Sequence, residues 1–225
     1  INTLGLTVGQ LSGSASSATL NNSGNIEVER LTLNNANLHN TGTINITGDM
    51  QDLHSVVANV INDGIISSTN TYLIGDESTF KNNAGATLSA GSLVTNSGKL
   101  INEGKINSNV QNFWSDGFST YYYGELTSNL DDITGSIYQG DNDASIFNIT
   151  GGTISSADKI KNYDGQTGGI VNIIGTVRQE ARLDNFRGKT FVKNGGEVQV
   201  TGVEQSNIFT TGDITFEDGS TLNLR

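Results

Sequence analysis

The sequence predicts an all-β fold, a single parallel β-helix (β-solenoid) of about eleven rungs that takes in residues 1–225. Three observations predict it: a short phrase returns at nearly constant length, its strands alternate apolar and polar residues, and the residue types suit strands and turns. Each copy of the phrase contains an apolar residue, an Asn-x-Gly step, and one or two apolar residues. Clear copies occupy 20–28, 38–46, 61–66 and 100–106.

Glycine marks the turn of each repeat. The marker glycines of the first half recur at intervals of 18 to 22 residues: Gly24, Gly42, Gly64, Gly85, Gly104 and Gly124. Asn tolerates left-handed backbone and Gly adopts it at no steric cost, so each Asn-x-Gly predicts a tight turn. One rung therefore takes about 20 residues.

A short strand follows each turn, as in Ile26-x-Val28 and Ile44-x-Ile46. Because successive side chains of a strand point to opposite faces, one set is expected to point inward. That set is Ile26, Ile44, Ile66, Leu88, Ile106, Ile154, Val171, Val198, Ile214 and Leu222. A chain with 34% apolar residues can still form such a core, since only one side of each strand faces it. Asn residues at equivalent turn positions are expected to stack into side-chain ladders.

Composition narrows the function classes. The absence of Pro suits an uninterrupted backbone ladder, and the absence of Cys excludes disulfides and thiolate metal sites. A net charge of −11 argues against a nucleic-acid partner, and no stretch approaches the roughly 18 apolar residues of a membrane helix, so we expect no membrane insertion. Repeat-like phrases at 1–6 and 222–224 predict either a segment of a longer protein or a subunit that self-associates end to end.

An irregular stretch at about 108–146 combines aromatic and acidic residues. Its rings are Phe113, Trp114, Phe118, Tyr121, Tyr122, Tyr123 and Tyr138, and its acids are Asp116, Asp131, Asp132, Asp141 and Asp143. Rings beside carboxylates and amides suit carbohydrate recognition, while the alternative is that the rings fill an enlarged core. The candidate ligand-binding residues are Trp114, Tyr121, Tyr122, Tyr123 and Tyr138.

The acidic pairs do not favour an enzyme. Glycosidases use two carboxylates, and Asp131-Asp132 and Asp141-x-Asp143 are the available pairs, but no Lys or Arg lies between 106 and 158 to serve as a nearby base. We therefore expect no catalytic residue.

Metal sites are also unsupported. An EF-hand beginning at Asp141 would have Ile146 where Gly is required and Gly152 where a bidentate Glu is required. The histidines, His39 and His54, have no third imidazole or thiolate to complete a zinc site. We expect no metal and no cofactor.

The phrases at 31–50 and 212–224 carry a family resemblance. The first, with Leu31-Thr-Leu33, Leu38-His-Asn-Thr-Gly42 and Gly48-Asp-Met50, resembles the repeats of filamentous-haemagglutinin-type exoproteins of two-partner secretion. The second is similar to passenger domains of autotransporter adhesins. Both groups belong to type V secretion of Gram-negative bacteria, and the Asn-Pro-Asn motifs of the two-partner secretion domain are missing here. The resemblance implies a right-handed β-helical stalk, secreted or associated with the outer membrane at the cell surface.

These observations favour a structural and adhesive rod segment that presents a surface for cell, matrix or glycan contact. The expected partner is a receptor or glycan on a host or neighbouring cell. Two alternatives remain open: a subunit of an extracellular β-solenoid filament, and a polysaccharide lyase or hydrolase of the β-helix type.

Overall fold

A computed structural model of the chain describes residues 2–9, 17–48, 50–51, 57–115, 120–163, 168–201 and 212–224. These residues are almost entirely strands and the turns between them. The strands, in chain order, are β1 (Asn2–Gly9), β2 (Ala18–Asn22), β3 (Asn25–Asn34), β4 (Ala36–Asn40), β5 (Thr43–Ile46), β6 (Met50–Gln51), β7 (Ala58–Asn62), β8 (Ile65–Ser68), β9 (Thr71–Ile74), β10 (Thr79–Asn82), β11 (Thr87–Asn96), β12 (Lys99–Asn102), β13 (Lys105–Gln111), β14 (Phe113–Ser115), β15 (Tyr121–Tyr123), β16 (Glu125–Asn129), β17 (Ile137–Gln139), β18 (Ile146–Ile154), β19 (Ile160–Asn162), β20 (Ile170–Gln179), β21 (Lys189–Val192), β22 (Glu197–Val200), β23 (Ile214–Phe216) and β24 (Thr221–Leu224). A short 3₁₀ helix covers Leu130–Asp132.

Two long parallel sheets form the molecule. The first has the order β1-β3-β5-β8-β11-β13-β17-β19, and the second β2-β4-β7-β10-β12-β16-β18-β20-β21-β23. Each strand pairs with the strand one repeat later, so the chain winds as a parallel β-solenoid, which confirms the predicted fold class. In the part of the chain that the structure describes, no helix is long and apolar enough to cross a membrane.

The solenoid has about eight turns, fewer than the eleven expected. Part of the difference lies in the distal part, where two glycine-marked phrases share one turn. Strand β23 pairs with β21 and β24 pairs with β22, while β21 and β22 themselves both pair with the single long strand β20. The phrases that begin at Gly212 and Gly219 therefore contribute to one rung.

The core is a stack of aligned apolar residues. Ile26 pairs in register with Ile44, Ile44 with Ile66, Ile66 with Leu88, and Leu88 with Ile106, and all five are buried. Of the other residues expected to point inward, those buried are Ile154, Val171 and Val198.

Two residues expected to point inward, both at the distal end of the described solenoid, are less buried than the others. Ile214 is only half-buried, and Leu222 is 42% exposed, although it pairs in register with the buried Val198 and so lies on the inward row. Leu222 lies on β24, which pairs with β22 alone among the described strands, so no further rung covers it.

The expected Asn ladder is present at one edge of the rod, where strands of the second sheet turn into strands of the first. Each side-chain Nδ2 donates to the Oδ1 of the Asn one turn later, at 2.7–2.8 Å, and the residues are Asn22, Asn40, Asn62, Asn82 and Asn102. Asn102 Nδ2 donates to Ser128 Oγ at 2.9 Å, and the Ser128 hydroxyl donates a hydrogen bond to the carbonyl of Asn129 at 2.9 Å. The Ser128 hydroxyl thus donates its hydrogen to its own turn, and the ladder ends there because the next residue in the row is Ile149.

The turn glycines of this edge are required for a different reason from the one predicted. Among the six markers of the first half, only Gly85 has a positive φ, 86°. At Gly42 a Cβ would lie 2.1 Å from the carbonyl oxygen of Gly24, and at Gly64 it would lie 2.1 Å from that of Gly42. Close stacking of successive turns, rather than left-handed backbone, therefore excludes larger residues at Gly42 and Gly64.

Candidate functional site

The two strands β14 and β15 form an antiparallel hairpin that is separate from both large sheets. The hairpin leaves the coil after Asn112 and returns at Gly124, where strands of the first sheet turn into strands of the second; we call this side of the rod the hairpin edge. Most of the stretch at 108–146 remains in the solenoid as β13, β16 and β17. Asp116 and Phe118, which follow β14 in the sequence, lie outside the described residues, as does His54.

One ring of the hairpin anchors it to the rod. Phe113 is only 2% exposed and packs edge-on against Tyr163, with ring centroids 5.2 Å apart. Gly140 makes this packing possible, because a Cβ there would lie 2.8 Å from Tyr123 Cδ1 and 3.2 Å from Phe113 Cβ. Phe113 is thus the buried ring of the hairpin, and it lies outside the apolar stack of the solenoid core.

The remaining hairpin rings divide between its two faces, as alternation along a strand requires. Trp114 and Tyr122 are paired across the strands, and their ring centroids are 5.5 Å apart at a tilt of 41°. Tyr121 and Tyr123 lie on the other face, 6.4 Å apart and nearly parallel. Tyr121 is 42% exposed, and the other three rings are half-buried. Both faces therefore present part of their aromatic surface to solvent.

Tyr123 joins the hairpin to the next turn of the coil. Its hydroxyl donates to Asp141 Oδ1 at 2.6 Å. Burial, together with the hydrogen bond and the charge of Asp141, raises the pKa of Tyr123 to about 12, because both disfavour the phenolate. This hydrogen bond orients the Tyr123 ring with respect to the turn at 140–145.

Tyr138, the last predicted site residue, lies in β17 on the same side of the rod. Its ring is 6.4 Å from Tyr163, and Lys161 Nζ lies 4.9 Å from its centroid in a cation–π contact. Tyr163 thus connects Tyr138 with Phe113, although the sequence analysis did not select it. A signal was available: Asn112-Phe113 and Asn162-Tyr163 each place an aromatic residue directly after an Asn at the end of a first-sheet strand.

A polar pocket continues the hairpin edge beyond Tyr163. It has a volume of about 280 Å³ and is lined by glycine backbone and by charged side chains: Asp143, Gly168, Arg187, Gly188, Lys189, Gly212 and Asp213. Lys189 Nζ forms an ion pair with Asp143 Oδ2. From the sequence, Asp143 was predicted only as an acid of the irregular stretch and as half of the Asp141-x-Asp143 pair, and no other residue of the pocket was selected.

The acidic pairs considered for catalysis do have basic partners. Lys105 Nζ lies 2.6 Å from Asp132 Oδ1, and Lys189 pairs with Asp143, so the expectation of no nearby base is wrong. The coil brings Lys105 beside Asp132 from 27 positions away. The second member of the first pair, Asp131, accepts the backbone N–H of Thr153 at 2.9 Å.

The histidine that the structure describes has a carboxylate partner. His39 Nε2 lies 2.7 Å from Asp63 Oδ2, and Asn83 Nδ2 donates to Asp63 Oδ1 at 2.7 Å. The hydrogen bond from Asn83, followed by that from His39, lowers the pKa of Asp63. Within the described residues, no three His, Asp or Glu side chains are grouped so that they could hold a metal ion.

Comparison of the chain with protein-family models, curated proteins and solved structures finds no match in any of the three. The parallel β-solenoid is nevertheless compatible with the β-helical passenger that the repeats resemble. Any proposal about function therefore rests on the residues of this chain. The hairpin edge is the candidate site, because it combines aromatic, acidic and basic side chains on a regular rod.

Proposed function

We propose that the chain is a structural and adhesive rod segment of a secreted or surface-displayed bacterial protein. Its aromatic hairpin contacts a receptor or glycan on a host or neighbouring cell. The observation that supports this proposal most directly is the hairpin itself, which interrupts the parallel pairing of the described strands and places Trp114, Tyr121 and Tyr122 outside both large sheets. A rod that served only as a spacer would gain nothing from partly exposed rings at this position.

The rest of the solenoid supplies a rigid support for such a contact. The buried Asn ladder and the aligned apolar stack fix each turn on its neighbours. A contact site on a regular rod is held in place by the packing of several turns, and many copies of a weak site would act together at a cell surface. The same proposal includes export by type V secretion and a right-handed coil. Both are supported by the resemblance of the repeats to those of type V secreted proteins.

We assign no catalytic role to the acidic pairs. Asp132 and Asp143 are each engaged by a lysine at the surface, and Asp131 accepts a backbone N–H. Catalytic carboxylates are usually found in concave sites where their oxygens are free to meet a substrate. These contacts therefore support a polysaccharide lyase or hydrolase less well than they support a rod that binds a partner.

The test of the adhesive role is the double substitution Trp114→Ala with Tyr122→Ala. We expect binding to cells and to immobilised glycans or matrix proteins to fall about tenfold or more, since aromatic residues dominate such contacts. The matched control is Phe191→Ala, which removes a half-buried ring on the outer face of β21. Circular dichroism should show the same strand content in all three proteins. The adhesive role is refuted if the unmodified rod binds none of these surfaces, or if the double variant binds as well as the control.

A further inference from the structure

The turns of the hairpin edge are stacked directly on one another. Asn112 Nδ2 donates to Gln139 Oε1 at 3.2 Å, and the backbone N–H of Asn112 donates to the carbonyl of Tyr138 at 2.8 Å. Two turns further on, Asn162 Oδ1 accepts the N–H of Arg187 at 2.7 Å. The hairpin and Arg187 therefore lie on the same edge, three rungs apart, a span of roughly 15 Å at the spacing of adjacent strands.

The turn at 140–145 connects the hairpin with the polar pocket. On one side Asp141 accepts the hydroxyl of Tyr123 at 2.6 Å. On the other side Asp143 is paired with Lys189. The hairpin face that carries Tyr121 and Tyr123 and the pocket are thus neighbouring parts of one surface that share a single turn.

Glycine backbone forms much of the pocket. A Cβ at Gly168 would lie 2.4 Å from the carbonyl oxygen of Asp141, one at Gly188 would lie 2.2 Å from that of Gly168, and one at Gly212 would lie 2.1 Å from that of Gly188. The close stacking of these turns excludes side chains from the wall that they share. The result is an open space of about 280 Å³ beside the charged groups.

The charges of the pocket are not all matched. Lys189 and Asp143 neutralise each other. Arg187 is exposed, and among the residues that the structure describes its guanidinium has no ion-pair partner. The carboxylate of Asp213 is likewise exposed, with no lysine or arginine within ion-pair distance in the described part of the chain. The guanidinium of Arg187 and the carboxylate of Asp213 are therefore open to a ligand or to solvent.

We propose that the hairpin edge binds a linear glycan in which some of the sugars carry a carboxylate. This inference rests on the proposed adhesive function and specifies its ligand. The rings of Tyr121 and Tyr123, on the hairpin face that contacts the turn at 140–145, stack on the apolar faces of sugars at one end, and the guanidinium of Arg187 holds a carboxylate at the other end. Asp213 accepts hydrogen bonds from sugar hydroxyls. The rung spacing is comparable to the length of one pyranose along a chain, so successive sugars meet successive turns.

The charge count favours a sparsely charged glycan over a dense polyanion. Arg187 is the one unmatched cation described in the pocket, and the chain as a whole carries a net charge of −11. A dense polyanion needs clusters of Lys and Arg, whereas one planar guanidinium suits a single carboxylate. Glucuronic acid alternating with a neutral sugar matches this arrangement.

The test uses the intrinsic fluorescence of Trp114, which is the only tryptophan of the chain. The probe is a hexasaccharide of glucuronic acid alternating with N-acetylglucosamine. The comparison probe is the same hexasaccharide with its carboxyl groups reduced to primary alcohols. We expect both to change the fluorescence, and the carboxylated form to bind about threefold to tenfold more tightly, the difference that a charge-assisted hydrogen-bond pair makes at an exposed site.

Substitutions at Arg187 test whether this residue causes the tighter binding of the carboxylated hexasaccharide. Arg187→Ala should bind the two hexasaccharides equally. Arg187→Lys should retain part of the preference for the carboxylated form, because it keeps the positive charge but loses the paired N–H donors of the guanidinium. Arg178→Ala is the control, since Arg178 is exposed on the same half of the rod and already paired with Glu180 at 3.9 Å. Arg178→Ala should bind like the unmodified protein.

The inference is overturned if the unmodified protein binds both probes equally, if Arg187→Ala keeps the preference, or if neither probe binds by fluorescence and calorimetry. A result that refutes this ligand can be distinguished from one that refutes the adhesive function. If the Trp114→Ala, Tyr122→Ala variant still loses cell binding, the rod is adhesive with another ligand. If the unmodified rod also binds no cell, matrix protein or glycan, both proposals fall together.

Discussion

Truncation of one member of the Asn ladder should destabilise the rod strongly, and Asn62 is the best position for this test. It is fully buried, accepts a hydrogen bond from Asn40 Nδ2 at 2.8 Å, and donates to Asn82 Oδ1 at 2.8 Å. Its Nδ2 also donates to the carbonyl of Thr87 at 3.1 Å, and its Oδ1 accepts the N–H of Gly64 at 3.3 Å. The substitution Asn62→Ala removes all four bonds at once.

The expected magnitude follows from the groups that are left behind. Asn40 Nδ2 keeps its bond to the carbonyl of Ile65 at 3.1 Å, so its loss is partial. Asn82 Oδ1 and the N–H of Gly64 lose the partner described for them, and each unsatisfied buried group costs about 1–3 kcal/mol. We therefore expect Asn62→Ala to lower the free energy of unfolding by about 3–5 kcal/mol. The control Asn59→Ala removes an exposed bond to Asn37 and should change it by about 0.5 kcal/mol or less.

The measurement is urea unfolding followed by circular dichroism, combined with amide hydrogen exchange. Exchange is needed because a solenoid can open over a few turns without unfolding throughout. In Asn62→Ala the amides of β5, β7, β8 and β10 should exchange faster than in Asn59→Ala, because these strands flank the missing side chain. The reasoning is refuted if the two variants unfold at the same urea concentration and exchange alike, since the ladder would then contribute no more than an exposed amide pair.

Two further predictions concern the turns and the hairpin. Gly42→Ala should destabilise the rod by about 1–3 kcal/mol, because its Cβ would meet the Gly24 carbonyl oxygen at 2.1 Å, whereas Gly24→Ala, with no atom within 4 Å of its Cβ, should unfold at the same urea concentration as the parent. Equal urea midpoints for the two alanine variants would contradict the close-approach explanation. Phenolate absorbance should show Tyr123 titrating near pH 12, so its contribution to stability is present below pH 10.0 and is lost as the pH rises from about 10 to about 12. Asp141→Asn should lower this pKa while leaving it above 10.0, since burial is the larger cause; an unchanged titration would show that the Asp141 contact is not formed in solution.

The sequence by itself was sufficient to predict the class of fold and most of its interior. Apolar alternation in strands and Asn-x-Gly turns are local signals, and they correctly predicted the parallel solenoid, the buried stack from Ile26 to Ile106, and the Asn ladder. The concentration of rings near Trp114 was also visible in the sequence. Its antiparallel pairing with Tyr122 was not, because nothing in the local pattern specified the register of a hairpin inserted into a parallel coil.

The tertiary structure alone decided the contacts between turns. Successive members of the Asn ladder are separated by 18 to 22 residues, and the step to Ser128 is 26, so the residues that meet across rungs depend on the length of every intervening turn. That variation placed Lys105 beside Asp132 and Tyr163 against Phe113. It also stacked Arg187 on the edge that carries the hairpin. Periodicity determines which way a side chain points, whereas accumulated turn length determines what it touches.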